Sequence, residues 1–302
     1  MDIQNSQQPQ RSLPAGSAPA ASLPASSAAA VSFSFTGTGG ELLGEALISF
    51  LLTAITFGLY APWMLVRIQK YFYSRTTINT PAGPLQVAFT GTGGLCLIEV
   101  YLTALLVPLT FGIYTPWYVA SVGRFFSNNS IATGADGRQY RLNFGATGGD
   151  LILPMIIGGL LSSITFGIYL PWFICNLRKL VMDKLTIRAV SPQSSEQIGR
   201  FEFVGTGGGL IGTFLLGMIL TGITFDIYMP WFQVNLQKFY LRNTGIHVGS
   251  RSYRGDFTGT GGELLWLMLS GILIPLTFGM YVFWLVVKQQ RFSLGNTKFH
   301  AA

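Results

Sequence analysis

Five basic residues recur at one spacing and are the first candidates for chemistry. Eight residues on from Pro62, Pro116, Pro171, Pro230 and Phe283 stand Lys70, Arg124, Lys179, Lys238 and Arg291. Each is followed by an apolar, mainly aromatic residue: Tyr71, Phe125, Leu180, Phe239 or Phe292. A cation on a long stem beside an aromatic suits a membrane interface, where the stem lies along apolar surface and the head meets phosphate. The row reads either as plain anchoring or as a set of cations for anionic lipid headgroups or an anionic substrate.

Other chemistry is sparse. Glu45 and Glu99 share one slot, five residues after the second Gly of a Gly-Gly pair, and head apolar runs. A carboxylate inside a membrane segment is a candidate proton or cation site, although a helix start lowers its cost. Asp226 is read as solvated. Trp63, Trp117, Trp172, Trp231 and Trp284 occupy one repeat position and, with the Tyr three residues before each, form an aromatic belt of interfacial anchors. Two cysteines, Cys96 and Cys175, and two histidines, His247 and His300, give no metal-ligand spacing, disulfide framework or nucleophile–base pair. The expectation is a non-enzymatic protein with no catalytic residues, no cofactor and no metal.

These positions are held by a unit used five times. It opens at Phe35, Phe89, Phe144, Phe203 and Phe257, continues through a Thr/Gly-rich turn and an apolar run, and closes on Thr-Phe-Gly-Ile-Tyr-x-Pro-Trp or a variant. A fixed spacing of this kind marks a repeat architecture. The repeats span approximately 31–80, 85–132, 140–188, 199–247 and 253–300, within one membrane domain of residues 31–302. Residues 1–30, rich in Gln, Ser, Pro and Ala, read as a disordered tail rather than a signal peptide. Alternating residues before each turn, such as Val31–Phe35, predict a strand. So do short pieces after each basic-aromatic segment, and the linkers between them predict β-hairpins. The first and last strands lack a hairpin partner and are free to pair with each other and close the set. In Thr-Gly-Thr-Gly-Gly, Thr is expected to cap the next helix and Gly to supply positive φ.

Charged residues make up 10% of the chain, against about 25% in a soluble domain, and mean hydropathy is +0.45. A membrane protein follows, and the net charge of +7 points to anionic headgroups rather than nucleic acid. All 19 Lys and Arg lie in the tail and linkers, none in a Thr-Phe-Gly turn. Under alternating spans they divide almost evenly between sides, whereas hairpins put them all on one side, as the positive-inside rule favours. The reading is five helical hairpins that cross or re-enter the bilayer, with linkers and tail in the cytoplasm. The expected fold class is a membrane protein, mainly α with short β-hairpins, in five tandem repeats of strand, Gly turn, apolar helix, break, amphipathic helix and strand.

The repeated F-x-G-T-G-G and T-F-G-I-Y-x-P-W motifs resemble the YjgN-like bacterial inner-membrane proteins, a family of unknown function, from Phe35 to about Phe299. The resemblance implies a bacterial inner-membrane location and carries over no functional residues. The functional expectation is anchoring, organising or sensing lipid through the basic-aromatic face. The alternative is a repeat-built channel or transporter for a small solute or ion.

Overall fold

The computed structural model describes residues 31–191 and 194–302; the expected disordered tail lies outside them. Strands β1 (Val31–Phe35), β2 (Thr76–Thr80), β3 (Gly83–Phe89), β4 (Ser130–Gly134), β5 (Gln139–Phe144), β6 (Leu185–Ser191), β7 (Ser194–Phe203), β8 (Thr244–Val248), β9 (Arg251–Phe257) and β10 (Thr297–Ala301) are all antiparallel to their neighbours. Between the two strands of each repeat stand two helices. The first arms begin at Gly39, Gly93, Gly148, Gly207 and Gly261, and the second arms run Ala61–Ser74, Thr115–Asn128, Leu170–Asp183, Met229–Arg242 and Val282–Gly295.

The expected fold class is corrected in two respects. The short strands are not separate hairpins. Each opening Phe pairs across its own helices with the strand that follows them, as in Phe35↔Thr76, Phe89↔Ser130, Phe144↔Leu185, Phe203↔Thr244 and Phe257↔Thr297. Those pairings join the linker hairpins into one sheet, and Val31↔Phe299 and Ser32↔Lys298 close it into a ten-stranded barrel. Closure leaves no sheet edge with unpaired backbone groups. Nor is any described helix long and apolar enough to cross a membrane. The first arm of repeat 1, Gly39–Ile55, is about 25 Å long at 1.5 Å per residue, against a hydrocarbon core of about 30 Å.

Each buried cluster is shared between neighbouring repeats. Val66 of repeat 1 joins Phe89, Cys96 and Phe125 of repeat 2 in one buried cluster. Val287 of repeat 5 meets Phe35, Leu42 and Tyr71 of repeat 1 in another. The helices therefore form a ring of their own above one rim of the barrel. A single repeat has no complete core, as expected of stacked repeats.

Candidate functional site

Each first arm opens on a capped turn. Thr38, Thr92, Thr147, Thr206 and Thr260 accept the third backbone N–H of the helix, and Glu41, Asp150 and Glu263 complete capping boxes. Asp150 accepts the Thr147 amide at 2.8 Å and hydroxyl at 2.7 Å and pairs with Lys184 at 3.2 Å. These donors hold its carboxyl down at about 2. The turn glycines do not supply positive φ, contrary to expectation. They are required by close approach: a Cβ on Gly39, Gly93, Gly148, Gly207 or Gly261 would collide with Trp284, Trp63, Trp117, Trp172 or Trp231.

The five tryptophans therefore stitch each second arm to the next repeat's first helix, with Trp284 on Gly39 closing the ring. Four stack on the Tyr of the preceding turn, as Trp63 does on Tyr60 at 5.9 Å. All five remain partly exposed.

Two members of the basic row, Arg291 and Lys70, lie along these seams. Arg291 donates to the Gly37 carbonyl at 3.0 Å, so the last repeat reaches the first turn. Lys70, with Arg67, Tyr60 and Trp63, lines an open groove of about 530 Å³ whose other wall is Thr92, Gly93 and Gly94. Arg124 donates to Ser121 at 3.2 Å. Among the described residues, Lys70, Arg124, Lys179, Lys238 and Arg291 enter no ion pair. Arg178, beside Lys179, does not join them. Its guanidinium lies 4.4 Å from the Tyr240 ring and 5.6 Å from Phe203, and burial lowers its pKa.

The two acidic candidates diverge. Glu45 pairs with Arg67 at 2.8 Å, both side chains nearly half exposed. Glu99 sits in a π-helical turn, Leu97–Tyr101, and has no ion-pair partner among the described residues. The structure does not bring the two together in one pair or cluster.

Sequence reasoning treated Thr-Phe-Gly as a helix break and missed its main property. Thr56 ends the first arm, Phe57 donates to the Ala54 carbonyl at 3.2 Å and Gly58 to that of Thr53 at 2.8 Å. This is a Schellman end, in which the left-handed residue is usually Gly. Here it is Phe: Phe57, Phe111, Phe166, Phe225 and Phe278 have φ of 49° to 51°. Their exposures run from 91% to 98%. Each turn is locked by its Thr hydroxyl, which accepts the amide N–H of the Tyr four residues on, as in Thr56 and Tyr60 at 3.1 Å. Around repeat 1's turn no residue from Phe50 to Ala61 is buried. The detectable signal was an aromatic standing, five times over, where a helix end calls for glycine.

The arrangement is thus a ring of Phe-bearing tips, the fourth of which also exposes Asp226 at a φ of 67°, with Trp seams behind them and a barrel behind that. Among the described residues no group of three His, Cys, Asp or Glu could hold a metal ion.

Residues 30–82, essentially the first repeat, match a family model described as bacterial protein of unknown function, DUF898. Inner membrane protein YjgN of Salmonella typhimurium is 40% identical over 72 residues, 24% of this chain and 17% of that protein. The proteins of the same name from Escherichia coli O157:H7 and strain K12 are 40% identical over 74 and 48 residues, 23% and 16% of this chain. Those two matches cover 18% and 12% of the relatives' own lengths, so each alignment spans less than a fifth of the relative. No solved structure matches the chain.

Proposed function

We propose that this chain, whose first repeat is similar to the DUF898 model and to the YjgN proteins, is a non-enzymatic inner-membrane protein that anchors or organises lipid. The five helical tips dip into one leaflet without crossing, and the cations behind them meet anionic headgroups. The observation that carries this reading is the set of five phenylalanines, almost fully exposed and held at positive φ. A left-handed conformation costs an L-residue about 1–2 kcal/mol, and an exposed Phe forgoes about 2 kcal/mol of burial. Five tips entering hydrocarbon recover roughly 10 kcal/mol by the same measure. Water offers no such return.

Three further features support it. The relatives are named inner membrane proteins, the tips carry no Lys or Arg, and among the described residues the five cations of the row lack ion-pair partners. With the tips in the leaflet, the barrel and linkers lie on the cytoplasmic side, as the positive-inside rule favours. The test is co-flotation of the full chain with vesicles. Binding to phosphatidylglycerol vesicles should fall steeply when Lys70, Arg124, Lys179, Lys238 and Arg291 are all changed to Gln, with no solute flux at any stage. Solute flux abolished by Glu45→Gln plus Glu99→Gln would instead establish the channel or transporter reading.

A further inference from the structure

The barrel carries a second concentration of charge, on strands rather than on the helices that hold the basic row. Register fixes which strand residues share a face. Arg141 on β5 is the direct partner of Arg188 on β6, and Arg188 is the partner of Gln197 on β7. A bulge follows, and in the adjacent same-face rung Asn143 pairs with Thr186, Thr186 with Arg200, and Arg200 with His247. Three arginines therefore stand on one face of three consecutive strands. Direct partners have Cβ atoms about 5 Å apart, and like charges there are destabilising.

Among the described residues Arg141, Arg188 and Arg200 enter no ion pair. The nearby carboxylates on this face are taken, Glu202 by His247 at 2.7 Å and Asp256 by Arg242 at 2.9 Å. The Arg188 Nε is buried and has no hydrogen-bond partner. A buried, unsatisfied donor on a guanidinium facing a second guanidinium calls for an oxyanion.

We propose that Arg141 and Arg188, with Arg200 beside them, form a binding site for a phosphate dianion. Two guanidinium forks match phosphate oxygens in pairs, and a doubly charged group neutralises both members of the rung. Gln197, Asn143 and Thr186 supply neutral hydrogen-bonding groups in the same two rungs. The site lies three residues from Phe144 and Leu185, about 10 Å along the strands from the rim that meets the helices. Both a soluble phosphate ester and a phosphomonoester lipid headgroup present this group. The inference does not rest on tip insertion, because phosphate in solution binds whether or not the tips enter a bilayer.

The test titrates the full chain in detergent micelles with pyrophosphate, followed by phosphorus NMR and thermal unfolding. In parallel, vesicle binding is compared for phosphatidate, a phosphomonoester, and phosphatidylglycerol, a diester. Saturable pyrophosphate binding, weakened about tenfold or more in Arg188→Gln, supports the site with a soluble source. A phosphatidate preference that Arg188→Gln abolishes supports it with a lipid source. Arg188→Gln should also raise the ligand-free melting temperature by relieving the like-charged rung, which shows the variant folded. The proposal is overturned if wild type binds neither probe, or if wild type, Arg188→Gln and Arg141→Gln bind both equally.

Discussion

The two ends of each helical pair obey opposite rules. At the barrel end most side chains find contacts within the protein: Thr caps, capping-box carboxylates, the Arg75–Glu41 and Lys184–Asp150 pairs, Arg178 on the Tyr240 ring, and Trp on Gly across every seam. At the tip end, the backbone and the Thr hydroxyls are satisfied, but the Phe side chains are not packed. Thr56 and its counterparts lock a strained turn whose one large side chain touches almost nothing. A fold with internal freedom to choose would put Gly at that position, as helix ends commonly do. Five exceptions at one position teach that the tip is shaped for an environment outside the protein, while the barrel end is shaped for the protein itself.

The largest effect should come from filling a seam. Gly207→Val drives a branched side chain into Trp172, and overpacking of this kind typically costs 1–3 kcal/mol. Thermal unfolding in detergent should show that loss. Gly208→Ala, next in the chain but facing open space, should be neutral or stabilising by up to about 1 kcal/mol from helix propensity. Equal losses at the two positions would remove the seam from the account.

A second substitution separates tip from barrel end directly. Phe166→Gly relieves a positive φ at an exposed site, so it should raise stability in detergent by about 1 kcal/mol or less. The same change should weaken vesicle co-flotation. A tip that stabilised the fold through packing would lose stability instead.

The smallest effect is electrostatic and belongs to the barrel end. The Asp150 carboxyl is held below its unfolded value. Its contribution is therefore complete above about pH 4 and is lost as pH falls through about 2. The stability difference between wild type and Asp150→Asn should shrink over that window in acid unfolding curves. A difference that grew on acidification would reverse the assignment.

Much of this molecule was legible in its residues. The spacing from opening Phe to Pro located the first four units, the fifth being one residue shorter with Phe283 in place of Pro, and Thr before Gly-Gly located every cap. Strand alternation located the strands and allowed their ring closure. The barrel was not legible as such, because pairs such as Phe35↔Thr76 join residues 41 apart across two helices, and local alternation carries no record of a partner. The role of the second turn glycine was hidden for a similar reason: its obligation comes from a tryptophan of another repeat. Apolar composition suggested spanning helices, but arms stopped by a Schellman turn fall short of bilayer thickness. The arginine rung depends on register across β5 and β6, which the sequence leaves open.

How deep the tips sit in a bilayer can be measured by fluorescence quenching. With Cys96 and Cys175 replaced by Ala, a single cysteine at Phe57 and, separately, at Thr80 would carry an environment-sensitive fluorophore, and vesicles would contain quenchers attached at the headgroup or deep in the acyl chain. The label at position 57 should brighten on vesicle addition and be quenched by the deep probe, while the label at position 80, in the linker hairpin, should stay aqueous. A label at position 57 that remained aqueous, in protein shown to be bound to the vesicles, would contradict the account.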